Sequence, residues 1–321
     1  MQHKLLTMCI DTEAGYNRLA ECLDSIVIAS SANDVDVLVL LSRPDDSVSA
    51  LVQDYIDRYP NVVRTLSRDA EQTFIGQSAA EALGKYIRPL GSDCIVAPSD
   101  LDSLMRFLSD CDDDMVVHGC TVTDDSYGTK EAFSAPLGLV GRGTPTENAA
   151  TMIYDLPSQA AVVKTELVRR GGQIGNWRND YSEFFINGLM QAVTIGGVDA
   201  DLCRFTAPVS LVHTDADCLE QTIFTLTDLF CIYTSSPDSK TSAINCIAHR
   251  IARLAVTRLG LWLSMPYDAE VRDDVYAFFS KLRRANRRVY DRFMDNKLAR
   301  KLRMGKFRYR AVARAYKKKM N

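Results

Sequence analysis

The sequence contains no run of about 18 apolar residues, so none of its helices is expected to span a bilayer. It also lacks a Cys-x-x-Cys pair. The nine cysteines, Cys9 to Cys246, are odd in number and widely spaced, which argues against a zinc ribbon, a thioredoxin-like motif or a disulfide framework. Most of them lie in apolar runs, where a free cysteine acts as a small hydrophobe, and a reduced, cytoplasmic setting is predicted. Histidine is scarce, at four residues. No Ser-His-Asp order and no Gly-x-x-x-x-Gly-Lys phosphate loop is found. Internal repeats and low-complexity linkers are absent. The opening Met1–Ile10 has no cleavage-site pattern and reads as a first strand rather than a signal peptide.

What is present is an ordinary globular composition, 46% hydrophobic and 25% charged, over 321 residues, enough for one large domain or two smaller ones. The net charge of −3 conceals a strong polarity. Residues 281–321 hold 17 Lys and Arg against two Asp, a net of +15, and the rest of the chain carries −18. Strand and helix signals alternate through the first hundred residues. Lys4–Ile10 is a short apolar run, Val35–Leu41 is a continuous branched apolar run suited to a strand covered on both faces, and Val62–Leu66 and Lys85–Leu90 read as further strands. Between them, Leu19, Cys22, Leu23 and Ile26, then Val48, Leu51, Val52, Tyr55 and Ile56, recur at helical spacing. A small-residue helix is predicted near 76–83. This β-α-β-α-β-α-β order implies a parallel sheet with right-handed crossovers, in which ligands bind beyond the C-terminal strand ends. The loops at 11–17, 42–47, 67–76 and 91–98 are therefore the ones to watch. Farther on, a strand is expected at 114–122, a strand leading into a helix at 162–170, and a helix at 184–193. Beyond about Cys218 the chain reads as all-helical, with apolar spacing near 3.6 in 219–233, 244–263 and 271–282.

Several segments together resemble family-2 glycosyltransferases. Gly84-Lys85-Tyr86-Ile87-Arg88-Pro89-Leu90-Gly91-Ser92-Asp93, followed by Pro98-Ser99-Asp100-Leu101, is similar to that family's strand that ends in Asp-x-Asp and leads to a short helix. Leu5–Ile10, then Glu21-Cys22-Leu23-Asp24-Ser25-Ile26, resembles its first strand and helix. Lys164–Gly171, Asn179–Phe185 and Pro208-Val209 resemble later segments, so the likeness covers roughly residues 3–215. The resemblance implies an α/β fold of the GT-A type, Rossmann-like with a mainly parallel sheet and flanking helices. This domain would occupy residues 1–215, and an all-helical extension with a basic tail would occupy 216–321.

The resemblance also implies chemistry: transfer of a sugar from a nucleotide-diphosphate sugar to an acceptor hydroxyl. Mg²⁺ or Mn²⁺ would be held on the diphosphate by the Asp-x-Asp motif, and a later acid would serve as general base. Carried over residue by residue, the first loop contributes Asp11 and Glu13, where the family has Pro-x-Tyr-Asn, and the second contributes Ser42. The metal motif contributes Ser92 and Asp93, with Asp93 as the metal ligand, and Asp180 stands at the base position with Glu183 as an alternative. The family's base-contacting Asn falls at about Gly76. Only one of the two motif carboxylates is present, and departures occur at four ligand loops. A catalytically inactive relative, acting as partner or scaffold for an active glycosyltransferase, is the alternative these residues leave open. His118 reads as a core residue, and His213 with Asp215 and Asp217 is a further metal candidate.

In the basic tail, Leu, Val, Phe, Met and Tyr interleave with the cations. That pattern suits the anionic inner face of a cell membrane, with nucleic acid as the less favoured polyanion and a solvated helical face covering the acidic body as the plain alternative. Surface glycan assembly at that face is the setting these expectations share.

Overall fold

In the computed structural model the described residues are 4–12, 18–41, 46–69, 72–124, 129–171, 182–206, 216–237, 239–303, 305 and 308–320. The chain divides into two compact units, Met1–Val209 and Ser210–Asn321.

The first unit opens as the pattern predicts: β1 (Lys4–Asp11), α1 (Leu19–Val27), β2 (Val35–Leu41), α2 (Asp46–Arg58), β3 (Val63–Ser67), α3 (Phe74–Glu81) and β4 (Gly84–Gly91). Then come β5 (Ile95–Val96), α4 (Pro98–Asp110), β6 (Met115–Asp124), β7 (Thr129–Phe133), β8 (Gly141–Pro145), α5 (Thr146–Ala149), β9 (Ala161–Lys164), α6 (Thr165–Arg170), α7 (Ser182–Gln191) and β10 (Thr194–Thr206). All ten strands form one sheet, in the order β3-β2-β1-β4-β9-β6-β10-β5, with β7 on β6 and β8 on β10. The expected parallel pairing holds for β1–β2, β1–β4 and β2–β3. Beyond β4 the sheet is mixed: β9 runs antiparallel between β4 and β6, while β10 is parallel to β6.

The runs of β1, β2 and β4 are buried on both faces, whereas the edge strand β3 alternates towards solvent, and Leu6, Met8, Ile10, Val37, Leu38 and Val39 are fully enclosed. Buried polar residues interrupt them, among them Thr7, Asp36 and Arg88. The Asp36 carboxylate, 2% exposed, accepts from Arg64 Nε (2.6 Å) and Nη2 (2.9 Å), Thr7 Oγ1 (2.8 Å) and the Leu83 backbone N–H (3.2 Å). It thereby joins β1, β2, β3 and the entry to β4. A buried charge persists only when it is paired and hydrogen-bonded in this way. Gly84 lies in the same knot because a Cβ there would sit 2.6 Å from the Leu6 backbone and nearer still to Thr7 N.

β10 is the longest strand, at 13 residues, and carries two register shifts against β6. Its glycine pair is needed for close approach: a Cβ on Gly197 would lie 2.7 Å from Leu139 O, and one on Gly196 would lie 2.6 Å from the Asp113 carboxylate.

The second unit is helical: α8 (Ala216–Thr234), α9 (Thr241–Ser264), α10 (Ala269–Ala285), α11 (Arg287–Met294), α12 (Lys297–Arg303) and α13 (Tyr309–Met320). Its core is an aromatic cluster. Phe278 meets Phe224, Trp262 and Phe293 edge-on at 5.8, 5.2 and 6.2 Å, and Phe279 meets Phe293 at 5.2 Å. No described helix is long and apolar enough to cross a membrane.

The described residues of the basic tail sort into two sets. Leu282, Val289, Phe293, Met294, Leu302, Tyr309 and Val312 are buried in the helical unit, while Arg283, Arg287, Arg292, Arg300, Arg303 and Arg314 are exposed. These apolar residues therefore belong to the core of the helical unit and are not free to enter lipid. A helix positions one stripe inward and the opposite stripe outward, so both sets are satisfied at once.

Candidate functional site

The register of β1 brings the sequence-marked residues to one edge of the sheet. The Cα of Asp11, the last residue of β1, lies opposite Leu40 of β2 on one side and Gly91 of β4 on the other. Thr12 continues the seam, with its backbone N–H and Oγ1 both bonded to Leu40 O at 3.3 and 3.0 Å. The C-terminal ends of three parallel strands therefore meet where an α/β sheet presents its ligand crevice.

β4 ends in a tight turn. The Cys94 N–H bonds Gly91 O at 3.0 Å, and Ser92 and Asp93 occupy the two central positions. Ser92 is buried and Asp93 half-buried. Helix α1 braces the turn from behind: Cys22 Sγ reaches Gly91 O at 3.9 Å, and Ser25 Oγ accepts from the Val96 N–H at 3.1 Å. Helix α4 starts just after it, with Pro98 in the first turn, where a missing N–H has no consequence. Asp102 of α4 holds the segment that follows α1. Its carboxylate accepts from Ser31 N–H and Oγ at 2.8 and 2.6 Å and from Ser30 Oγ at 2.6 Å. Those serines hold the Asp102 carboxyl down at about 2.

Burial raises the pKa of the Asp93 carboxyl above its ordinary value, against smaller opposing effects from its own backbone N–H and from Arg18. The group is an anion short of positive partners, which suits an incoming cation. Arg18, just before α1, is itself bound to Glu21 at 2.9 and 3.0 Å.

The β3–α3 loop forms the next wall of this edge. Gln77, 6% exposed, accepts from Asp69 N–H (3.0 Å) and Arg68 Nη1 (3.2 Å) and donates to Ser67 O (2.8 Å). Arg68 Nη1 also donates to Gln72 O at 2.6 Å, and the Arg68 N–H to Leu41 O at 3.0 Å. Gly76 is in the first turn of α3. It has no side chain to offer a base, and its N–H is held by the Thr73 cap at 2.9 Å. Arg18, Arg68 and Gln77 were not singled out from the sequence. The available signal was one cation, Arg68, inside the loop marked at 67–76, and another, Arg18, just past the loop marked at 11–17.

Of the other predicted site residues, Glu13, Ser42 and Asp180 lie outside the described residues, as do the side chains of His213, Asp215 and Asp217. Glu183 is buried in the first turn of α7. His118 is fully buried and kept neutral, pushed to about 3 by desolvation and the nearby Arg88, as a core histidine would be.

Among the described residues no group of three His, Cys, Asp or Glu gathers to hold a metal. Magnesium-class ions on phosphates are commonly held by one or two protein carboxylates, with the phosphates completing the shell. Asp93 alone therefore fits an ion that arrives with a diphosphate and does not fit a cage built of protein ligands.

Residues 8–165 match the family described as Glycosyl transferase family 2. No curated protein matches the chain. Among solved structures, S. aureus TarS 1–349 in complex with UDP-GlcNAc superposes with a TM-score of 0.66 at 13% identity, covering 98% of this chain and 92% of that one. The same fragment with UDP gives 0.66 at 12%, covering 97% and 88%. Mannosyltransferase PcManGT from Pyrobaculum calidifontis, in complex with GDP-Man and Mn²⁺, gives 0.52 at 13%, covering 98% and 87%. The fold is thus a GT-A-like mixed α/β sheet with flanking helices and a helical C-terminal region, as the sequence implied.

Proposed function

We propose, from the premise that residues 8–165 are a glycosyl transferase family 2 domain, that this chain transfers a sugar from a nucleotide-diphosphate donor to an acceptor hydroxyl in bacterial surface glycan assembly. The observation that carries this reading is the strand-end register that aligns Asp11, Leu40 and Gly91 and sets the Asp93 turn beside them. The solved neighbours hold UDP-GlcNAc, UDP and GDP-Man, which names the donor class to test.

Asp93 would hold Mg²⁺ or Mn²⁺ against the donor diphosphate. The ion would supply positive charge that offsets the charge developing on the departing nucleoside diphosphate. Asp180 would take the proton of the acceptor hydroxyl as its oxygen bonds to the anomeric carbon. Asp11 and the turn around Ser92 would line the donor's position, with Glu13 and Ser42 completing it from the adjoining loops. Calorimetry of the full chain with UDP-GlcNAc and GDP-mannose in Mn²⁺ tests the reading. Saturable heat with one of them, followed by sugar transfer to an acceptor, is expected. No heat with any sugar nucleotide would overturn it.

A second reading draws on a specific observation: the β3–α3 loop directs its polar groups inward onto Gln77, and the metal motif keeps one carboxylate. Both suit a non-catalytic relative that supports an active partner glycosyltransferase. Donor binding without transfer, together with recovery of a transferase in pull-downs, would favour it.

The exposed cations of α10–α13 support docking at the cytoplasmic face of an anionic membrane, each contributing about 1 kcal/mol near the lipid. Because the apolar side chains are buried, attachment would be electrostatic and lost as salt rises. Co-sedimentation with phosphatidylserine vesicles, but not neutral ones, is the expected result. Tighter binding to a DNA duplex would assign the surface to nucleic acid instead.

A further inference from the structure

A nucleotide diphosphate is an anion, and the edge where it would dock already carries two carboxylates, Asp11 at the end of β1 and Asp93 in the turn after β4. Among the described residues of the β1–α1 and β3–α3 connections, the cations are Arg18 and Arg68. They are committed differently. Arg68 Nη1 serves its own loop, donating to Asp69 O at 2.9 Å, Gln72 O at 2.6 Å and Gln77 Oε1 at 3.2 Å. Arg18 Nε and Nη2 both donate to one oxygen, Glu21 Oε2, at 3.0 and 2.9 Å, and among the described residues its side chain has no other hydrogen-bond partner.

The topology puts Arg18 at the rim of that edge. β1 and β2 are parallel, so the helix between them runs back against them, and α1 starts at the end of the sheet where β1 and β4 finish. Contacts fix that start more closely. Cys22 Sγ reaches Gly91 O at 3.9 Å, and the Cys22 N–H bonds Arg18 O at 2.9 Å. Arg18 therefore stands one helical turn, about 5.4 Å, beyond the residue that touches the end of β4. Its hold on Glu21 is weak. The two side chains are 42% and 61% exposed, and an ion pair in that setting contributes little and exchanges readily. A guanidinium is a planar fork of donors that matches two phosphate oxygens with two parallel bonds, a better arrangement than two donors on a single carboxylate oxygen.

We propose that Arg18 is a diphosphate-binding residue of this edge, held on Glu21 in the free chain and handed to the diphosphate when a sugar nucleotide enters. The inference rests on the donor-binding reading above and adds to it a cation that belongs to the chain itself. The exchange gives up one exposed ion pair and gains a forked contact to phosphate, so it favours the bound state. Glu21 takes Arg18 back when the nucleotide leaves.

The test is calorimetry of the full chain with UDP and with GDP in Mn²⁺, on wild type, Arg18→Gln, Arg18→Lys and Glu21→Gln. Wild type is expected to bind one of the two diphosphates. Arg18→Gln should lower that affinity about tenfold, the loss of a charge-assisted contact to phosphate. Arg18→Lys should recover part of the loss, because it restores the charge without the fork. Glu21→Gln should leave the affinity unchanged or raise it by up to about threefold, because the competing carboxylate is gone. If the pair served only to steady α1, Arg18→Gln and Glu21→Gln would lose the same contact and behave alike. Both side chains are exposed, so the variants should keep the wild-type urea midpoint. Wild-type affinity in Arg18→Gln, or an equal loss in Arg18→Gln and Glu21→Gln, would overturn this inference alone. A wild type that binds neither diphosphate would overturn it together with the donor-binding reading.

Discussion

Replacing Asp102 by Asn tests how the helices that brace the Asp93 turn are held. The Asp102 carboxylate on α4 accepts from both hydroxyls and both backbone N–H groups of Ser30 and Ser31, just beyond α1. In the folded chain its pKa falls from an ordinary 3.8 to about 2 because those serines stabilise the anion. A depressed acid contributes stability that is full above its unfolded value and is lost as pH falls through its folded value. A shift of this size would correspond to about 2.5 kcal/mol if fully expressed. The group is largely solvated, so screening reduces the expected contribution to about 1 kcal/mol. Urea denaturation of wild type and Asp102→Asn should therefore differ by about 1 kcal/mol at neutral pH, and the difference should shrink as pH falls below about 4 towards 2. An equal difference at every pH would refute the reasoning, because Asn would then be acting through shape rather than charge.

Asp93→Asn should weaken Mn²⁺-dependent nucleotide binding by at least about tenfold, read by calorimetry, without lowering the urea midpoint at neutral pH, since burial already disfavours the charged form. Arg64→Met should cost about 3 kcal/mol in urea denaturation by leaving the Asp36 carboxylate buried without its counter-ion, and the loss should be much smaller in an Asp36→Asn background. Phe293→Ala, which removes a fully buried ring meeting both Phe278 and Phe279, should destabilise the helical unit by about 3–5 kcal/mol, seen as an earlier loss of helical circular dichroism on heating.

How much was legible from the sequence differs along the chain. β1 to β4 were readable because each is a short run rich in apolar or branched residues between turn residues, and Asp93 could be placed at a strand end by counting from Gly84. β10 was not readable: Gly196, Gly197, Asp199 and Asp201 break the apolar pattern, and the strand exists because the glycines admit Leu139 and Asp113 at close range. Arg88 is the sharper case. The sequence places it within the Lys85–Leu90 strand but carries no sign of its partner, and it is fully buried with Nη2 on a sulfur 115 positions away in the chain.

The sequence by itself determined the alternation of strands and helices, the helical character of the C-terminal region and the concentration of positive charge in its tail. All three follow from local periodicity and composition. Only the tertiary structure decided that β9 enters between β4 and β6, that the apolar residues of the tail face their own core, and that Arg88 meets Cys203. These depend on which distant surfaces exclude water from one another, and such free energies are properties of pairs of segments that no single stretch of sequence carries.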